Sequence, residues 1–120
     1  MAESKLTIQE RHDGDVTVLA LAGEMTADDG DLAFRRCIHD LLDQGRTKFV
    51  VDLANVTRID SAGIGMLAAK LKTVKGKGGN LRLARITSRG QRLLSVMKIL
   101  MAFETFEDEA SAVKSFSWSR

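Results

Sequence analysis

The alternation of apolar and polar positions predicts two strands near the N-terminus. Apolar residues recur at every second position at Leu6 and Ile8, and again from Val16 to Ala22. The dipeptide Asp13-Gly14 between the two segments is typical of a tight hairpin turn. The pattern therefore predicts an antiparallel hairpin whose second strand ends at Gly23.

A change of apolar spacing, from two residues to three and four, predicts the first helix. Its apolar stripe consists of Phe34, Cys37, Ile38, Leu41 and Leu42. Three aspartates near its start, Asp28, Asp29 and Asp31, favour a helix N-terminus because the helix dipole attracts negative charge there. Gly45 is typical of a helix end.

The middle of the chain predicts a buried strand followed by a second helix. The segment Lys48 to Leu53 contains a short apolar run between charged residues, which is typical of a strand buried on both faces. Residues 55–60 are expected to form a connection. The helix has a stripe of Ile64, Leu67, Ala68, Leu71 and Val74, and glycines at 76, 78 and 79 end it. Leu81 and Leu83 indicate another strand.

The C-terminal third predicts two more helices around a short strand. Ser88 and Gln91 have the spacing of a capping box, so a helix is expected to begin at Ser88. Its core face would be Leu93, Leu94, Met97 and Leu100. The segment Phe103 to Phe106 predicts a strand, and Asp108 could cap a last helix carrying Ala112, Val113 and Phe116. The order β-β-α-β-α-β-α-β-α predicts an α/β fold with a mixed, mostly parallel sheet and about four helices.

Length and composition fit one soluble domain. The chain has 120 residues, of which 44% are hydrophobic and 28% charged. We expect a single domain over residues 1–120 with an ordered core of approximately 5–116. The net charge of +2 is too small and dispersed for a nucleic-acid footprint. The lysines and arginines between Lys70 and Arg92 are interpreted as surface charge.

The compartment is predicted from what the sequence does not contain. Cys37 is the single cysteine, so no internal disulfide can form, which is typical of a reducing compartment. The sequence has no apolar run of signal-peptide length, and none approaches the ~20 residues of a membrane span. We therefore expect a cytoplasmic protein without a membrane partner.

The segment Ile59-Asp60-Ser61-Ala62-Gly63-Ile64-Gly65 is the strongest candidate for function. Ser61 stands at the start of the second helix, where free backbone N–H groups can hold a phosphate. Asp and Ser are also common helix caps, so spacing alone leaves a cap and a functional site both open. A cap needs no glycines, and each glycine inside a helix costs ~1 kcal/mol relative to Ala. The two glycines therefore indicate a close approach to this turn.

The segments 50–53 and 59–65 resemble the signature of the STAS domain family, and most closely that of its anti-sigma factor antagonists. Weaker matches are Val18 to Met25, Val74-Lys75 followed by Gly78 to Leu81, and Phe103 to Phe106 with Glu109-Ala110. Ala62 replaces a second hydroxyl residue that many members have. Ile64 and Met25 replace common leucines, and Met101-Ala102 replaces a frequent Gly-Leu pair.

The resemblance implies a regulator of transcription rather than an enzyme. Ser61 would be phosphorylated by an anti-sigma factor that is also a serine kinase. The unmodified form would bind that kinase and release a sigma factor, and a phosphatase would restore phospho-Ser61 to serine. No catalytic residue, cofactor or metal is expected, and the protein would be a monomer or a weak dimer without direct contact to nucleic acid. From proximity in the expected fold, we predict that the partner-binding residues are Gly23, Glu24, Met25, Thr26, Asp60, Ser61, Ala62, Gly63, Ile64, Gly65 and Met66.

Three alternatives remain open. A scaffold or sensor-complex subunit could use the same serine, and a soluble transporter accessory subunit could use the same domain. A small nucleotide-binding enzyme is disfavoured because no base, metal cluster or phosphate loop is evident. His12 and His39 are interpreted as surface residues, Cys37 as an inert buried thiol, and the segment 75–79 as a solvated turn.

Overall fold

A computed structural model of the chain describes residues 5–26, 30–97 and 103–118. The elements follow the predicted order. They are β1 (Leu6–Asp13), β2 (Val16–Met25), α1 (Gly30–Asp43), β3 (Lys48–Ile59), α2 (Ser61–Gly76), β4 (Asn80–Ala84), α3 (Ser88–Val96), β5 (Thr105–Phe106) and α4 (Glu109–Trp118). Within these ranges, no helix is long and apolar enough to cross a bilayer.

The five strands form one sheet in the order β1-β2-β3-β4-β5. β1 and β2 are antiparallel, and the remaining neighbours are parallel. The predicted hairpin is present, with Asp13 opposite Val16 and Gly14 at a φ of 62° in the turn. The predicted α/β fold with a mixed, mostly parallel sheet is therefore confirmed.

Helices cover both faces of the sheet. The larger core packs α1, α2 and α3 against one face and includes Phe34, Phe49 and Ile64. The smaller core lies under α4 and includes Val16, Val18, Val50, Ala84, Ala112 and Phe116. The middle of β3 contributes to both cores, so the expectation of a strand buried on both faces is confirmed.

Two strands are longer than the sequence pattern predicts. β2 continues beyond Gly23 to Met25, and β3 continues to Ile59 through the segment predicted as a connection. The end of β2 pairs with the extension of β3, from Ala22 opposite Asn55 to Met25 opposite Ile59, with one register shift just before Ala22 and another between Gly23 and Glu24. Such irregularities break the two-residue alternation that identifies a strand in a sequence, which is why this pairing was missed.

The third helix begins as predicted, but its cap is different. Thr87 is the N-cap, and its Oγ1 accepts a hydrogen bond from the backbone N–H of Gly90 at 3.1 Å. Ser88 is therefore the first helical residue rather than the cap. Leu94 is fully buried, whereas Leu93 and Met97 are partly buried against the same core. Leu100 lies outside the described residues.

In the C-terminal segment, the predicted helix cap is present and the predicted strand is shorter than expected. β5 comprises Thr105 and Phe106 only, although the prediction began at Phe103. Asp108 caps α4, since its Oδ1 accepts a hydrogen bond from the N–H of Ser111 at 2.7 Å.

Two basic residues contradict the expectation of surface charge. Lys70 is 8% exposed, and its Nζ lies 3.2 Å from Nε2 of His39. Arg82 is 4% exposed, and its guanidinium lies 4.1 Å from the ring centroid of Phe116. Both side chains have apolar stems that pack inside while the charged end finds a partner.

Candidate functional site

Asp60 and Ser61 have separate roles at the start of α2. Asp60 is the N-cap, with extended backbone angles (φ −126°, ψ −176°). Its Oδ1 accepts a hydrogen bond from the N–H of Gly63 at 3.0 Å. Ser61 is the first helical residue, and its exposed side chain makes no hydrogen bond within the described part of the chain. The cap therefore accounts for Asp60 and leaves the hydroxyl of Ser61 available.

The two glycines of the segment differ in what surrounds them. A Cβ on Gly63 would stand 2.1 Å from the carbonyl oxygen of Met25, whereas a Cβ on Gly65 would have no neighbour within 4 Å. The close approach that the sequence indicates is therefore made at Gly63 by the chain's own β2. Of the two glycines, only Gly65 has open space where a side chain would stand, and it lies one turn after Ser61.

The pairing of β2 with β3 places the end of one strand beside the site. Met25 lies opposite Ile59, and the N–H of Asp60 donates to the carbonyl oxygen of Met25 at 3.3 Å. Glu24 and Met25, which follow the predicted end of the strand at Gly23, are thus the last part of β2. Glu24 is partly buried and lies 3.9 Å from Nζ of Lys5.

The proposed partner-binding residues fall into three groups by burial. Ser61 and Ala62 are exposed. Partly exposed are Gly23, Glu24, Thr26, Asp60 and Gly65. Buried are Met25, Gly63, Ile64 and Met66. An incoming molecule could touch the first two sets directly, while the buried residues support the turn from beneath.

Two arginines beside the site were not identified from the sequence. Arg89, in the first turn of α3, donates from Nε to the carbonyl oxygen of Ile59 at 3.1 Å. It lines a cleft of about 170 Å³. The other lining residues are Thr26, Thr57, Arg58, Ile59 and Asp60. Arg58 is close to Ser61 in sequence and could have been noticed, but only the packing of α3 brings Arg89 there.

Asp52 lies apart from this site and has a structural role. Its buried carboxylate accepts hydrogen bonds from Arg85, at 3.1 Å from Nε, and from the N–H of Ala54 at 3.1 Å. Burial would raise the pKa of Asp52, but these hydrogen bonds hold it below its ordinary value. Asp52 is therefore an ionised residue that ties β3 to the loop after β4.

The surroundings of Cys37 and His12 do not indicate a reactive site. Burial raises the pKa of the Cys37 thiol to about 11, which disfavours the reactive thiolate. His12 is exposed and lies 2.6 Å from Oε2 of Glu10. In the described ranges, no group of His, Cys, Asp and Glu residues could hold a metal ion.

The fold and site together define a small α/β binding domain with a free serine at the start of the helix after its central strand. The family model described as "Mlab, STAS domain" matches residues 8–100. The chain belongs to the STAS domain family.

Its relatives include anti-sigma factor antagonists. The chain is 22% identical to an anti-sigma F factor antagonist of Paenibacillus polymyxa over 108 residues, which cover 90% of this chain and 92% of that protein. The solved structure of the anti-sigma factor antagonist SpoIIAA in its unphosphorylated form aligns with a TM-score of 0.79 at 16% identity, covering 95% of this chain and 99% of that one. The phosphorylated form of SpoIIAA from Bacillus aligns with a TM-score of 0.74 at 17% identity, covering 92% and 99%. The resemblance predicted from the sequence is confirmed.

Proposed function

We propose that this chain is an anti-sigma factor antagonist whose binding to its partner is switched by phosphorylation of Ser61. The observation that carries the proposal is the division of roles at the start of α2. Asp60 caps the helix, so the fold does not need the hydroxyl of Ser61, which is exposed. The similar protein SpoIIAA has been solved in a phosphorylated form, which supports control by phosphorylation.

In this proposal the unmodified protein binds an anti-sigma factor that is also a serine kinase, and thereby releases a sigma factor. The contact surface comprises Ser61, Ala62 and the partly exposed residues around them. The kinase transfers a phosphoryl group to Ser61, the complex dissociates, and a phosphatase regenerates the serine. The chain itself binds and does not catalyse, and it acts in the cytoplasm as a monomer or weak dimer.

The charge change is large enough to act as a switch. Phosphorylation adds about −1.5 to −2 charge near neutral pH. Inside an interface beside Asp60, that charge would be repelled and would lose part of its hydration. A change of ~3 kcal/mol in binding free energy would weaken affinity roughly a hundredfold. The N-terminus of α2 tolerates the phosphate within the fold, because its dipole and free N–H groups favour an anion.

The test uses purified kinases of this type encoded in the same genome. Affinity and phosphorylation are measured for the wild type, Ser61→Ala and Ser61→Asp. We expect Ser61→Ala to bind but not to be phosphorylated, and Ser61→Asp to bind poorly. Equal binding by all three proteins would refute the switch.

Ser88 provides a matched control. It is also an exposed serine at the first position of a helix, and its cap, Thr87, is likewise a separate residue. Ser88→Asp should therefore bind the kinase as the wild type does. If Ser88→Asp weakened binding as much as Ser61→Asp, a general charge effect would replace the specific switch. A kinase that never phosphorylates the protein would favour the scaffold or transporter-accessory alternatives, and turnover of ATP by the isolated chain would favour an enzyme.

A further inference from the structure

The cleft beside Asp60 is lined by two arginines from distant parts of the sequence. Arg58 comes from the end of β3 and Arg89 from the first turn of α3. Arg89 uses its Nε on the carbonyl oxygen of Ile59, which leaves its two terminal amino groups without a hydrogen bond to a described residue. The side chain of Arg58 is exposed and makes neither an ion pair nor a hydrogen bond with the described residues.

The charge of the cleft is unbalanced. Among the described residues that line the cleft, Asp60 is the one acidic side chain, and one of its carboxylate oxygens already accepts the N–H of Gly63. Thr26 and Thr57 add hydroxyl groups, of which the Thr57 hydroxyl donates to the carbonyl oxygen of Gly23 at 3.1 Å. Two arginines against a single carboxylate, among the described residues of the cleft, form a favourable place for an anion. Arginine forks suit phosphate oxygens in particular, because they can donate two parallel hydrogen bonds.

We propose that this cleft receives the phosphoryl group of phospho-Ser61, held between Arg58 and Arg89. The inference rests on the proposed function, since it assigns a destination to the phosphate that the switch requires. Ser61 directly follows Asp60, which forms part of the cleft wall, and both arginine side chains are long enough to turn toward it. The phosphate and the two guanidinium groups would then largely neutralise each other.

The consequence for regulation differs from simple repulsion. In the unmodified protein, Arg58 and Arg89 present positive charge beside Ser61, where a partner with an acidic surface can use it. In the phosphorylated protein, the phosphate occupies both arginines. Release would therefore follow from two changes at once, the added negative charge and the withdrawal of two cationic contacts.

The test introduces phosphoserine at position 61 during translation, so that no kinase is needed. The second pKa of the phosphate is then measured by phosphorus NMR over a pH titration. A free phosphoserine has a second pKa of about 6. Because each nearby guanidinium favours the dianion, we expect a value lower by about half a unit or more in this protein. Arg58→Gln and Arg89→Gln should each reverse part of that shift, and the double variant should reverse the largest part, leaving the contribution of the N-terminus of α2.

Arg92 provides the control. It is exposed on α3, one turn after Arg89, and does not line the cleft. Arg92→Gln should leave the phosphate pKa unchanged. Arg58→Gln removes no side-chain hydrogen bond or ion pair to the described residues, so it should fold normally even if Arg89→Gln disturbs the hydrogen bond to Ile59.

The outcomes separate this inference from the function on which it rests. An identical phosphate pKa in the wild type and the double variant, or an equal shift in Arg92→Gln, would overturn the cleft assignment even where the kinase switch works. Conversely, a shifted pKa that depends on both arginines would support the cleft even if no kinase phosphorylates Ser61.

Discussion

The backbone of Gly63 lies so close to the carbonyl oxygen of Met25 that an added Cβ would stand 2.1 Å from it. This contact joins the last residue of β2 to the first turn of α2. The same carbonyl oxygen accepts a hydrogen bond from the N–H of Asp60. The position of Ser61 on the surface is therefore fixed by a strand that precedes it by a whole helix and strand in the sequence.

The first prediction concerns Gly63→Ala. The methyl group would clash with backbone atoms, which cannot move aside as a flexible side chain can, so the helix start must shift. Overpacking of this kind typically costs about 1–3 kcal/mol, and we expect a loss of that size in the free energy of unfolding. Denaturation by urea would measure it.

Gly65→Ala is the control within the same helix. Its methyl group would meet open space, and Ala is favoured over Gly in a helix by up to about 1 kcal/mol, so stability should be unchanged or higher. Equal stability of the two variants would contradict the contact to Met25. Because Gly65 leaves room near Ser61, we also expect Gly65→Ala to weaken binding to the kinase.

The second prediction separates Asp60 from Ser61. Asp60→Ala removes the hydrogen bond to the N–H of Gly63 and should lower the free energy of unfolding by about 0.5–2 kcal/mol. Asp60→Asn should retain most of the stability because Asn is also a good N-cap. Ser61→Ala should change stability by no more than about 0.5 kcal/mol. Thermal denaturation of the three variants would show whether Ser61 shares the cap, in which case Ser61→Ala would cost as much as Asp60→Ala.

The order of elements could be predicted because it depends on local patterns. The helix stripe at Phe34, Ile38 and Leu41 and the turn at Gly14 are visible in short stretches of sequence. The pairing of residues 22–25 with 55–59 was missed because it depends on contacts distant in sequence and on register shifts. The cap of α3 was misplaced by one residue because Thr87 and Ser88 are both good caps and stand side by side.

The candidate site could also be predicted only where it depends on local sequence. Ser61 could be found from local spacing and family resemblance. The requirement for glycine at position 63 could not be predicted, because it comes from the carbonyl group of Met25, which lies on a different strand. Arg89 was missed for a similar reason, because only the packing of α3 beside the end of β3 brings it to the cleft.

The third prediction concerns the acid sensitivity of the pair formed by Asp52 and Arg85. The pKa of Asp52 is lower in the folded protein than its ordinary value, despite burial, because Arg85 hydrogen-bonds to its carboxylate. A lowered folded pKa contributes stability above the unfolded pKa of about 3.9, and this contribution disappears as the pH falls through the folded value. Asp52→Asn should therefore cost about 1–3 kcal/mol at pH 7, and this cost should shrink as the pH falls from about 3.9 towards the lower folded pKa.

Thermal denaturation from pH 7 to pH 3 would test this. Asp15→Asn is the control, because Asp15 forms an exposed pair with Lys48 that should contribute little. If the difference in stability between the wild type and Asp52→Asn stayed constant from pH 7 to pH 3, the charge of Asp52 would not be what stabilises the fold.

The fourth prediction concerns Arg82, which attaches α4 to the sheet. Its guanidinium stacks on Phe116 and donates to Oγ of Ser115 at 2.8 Å. Lysine cannot stack and donate in this way at once, so Arg82→Lys should destabilise the protein by about 1–3 kcal/mol. The loss should appear in hydrogen exchange as faster opening of α4, with the protection of β3 less affected. Arg92→Lys, a change of the same chemistry at an exposed position, should leave both unchanged. Equal exchange in the two variants would mean that apolar packing under α4, rather than Arg82, holds the helix in place.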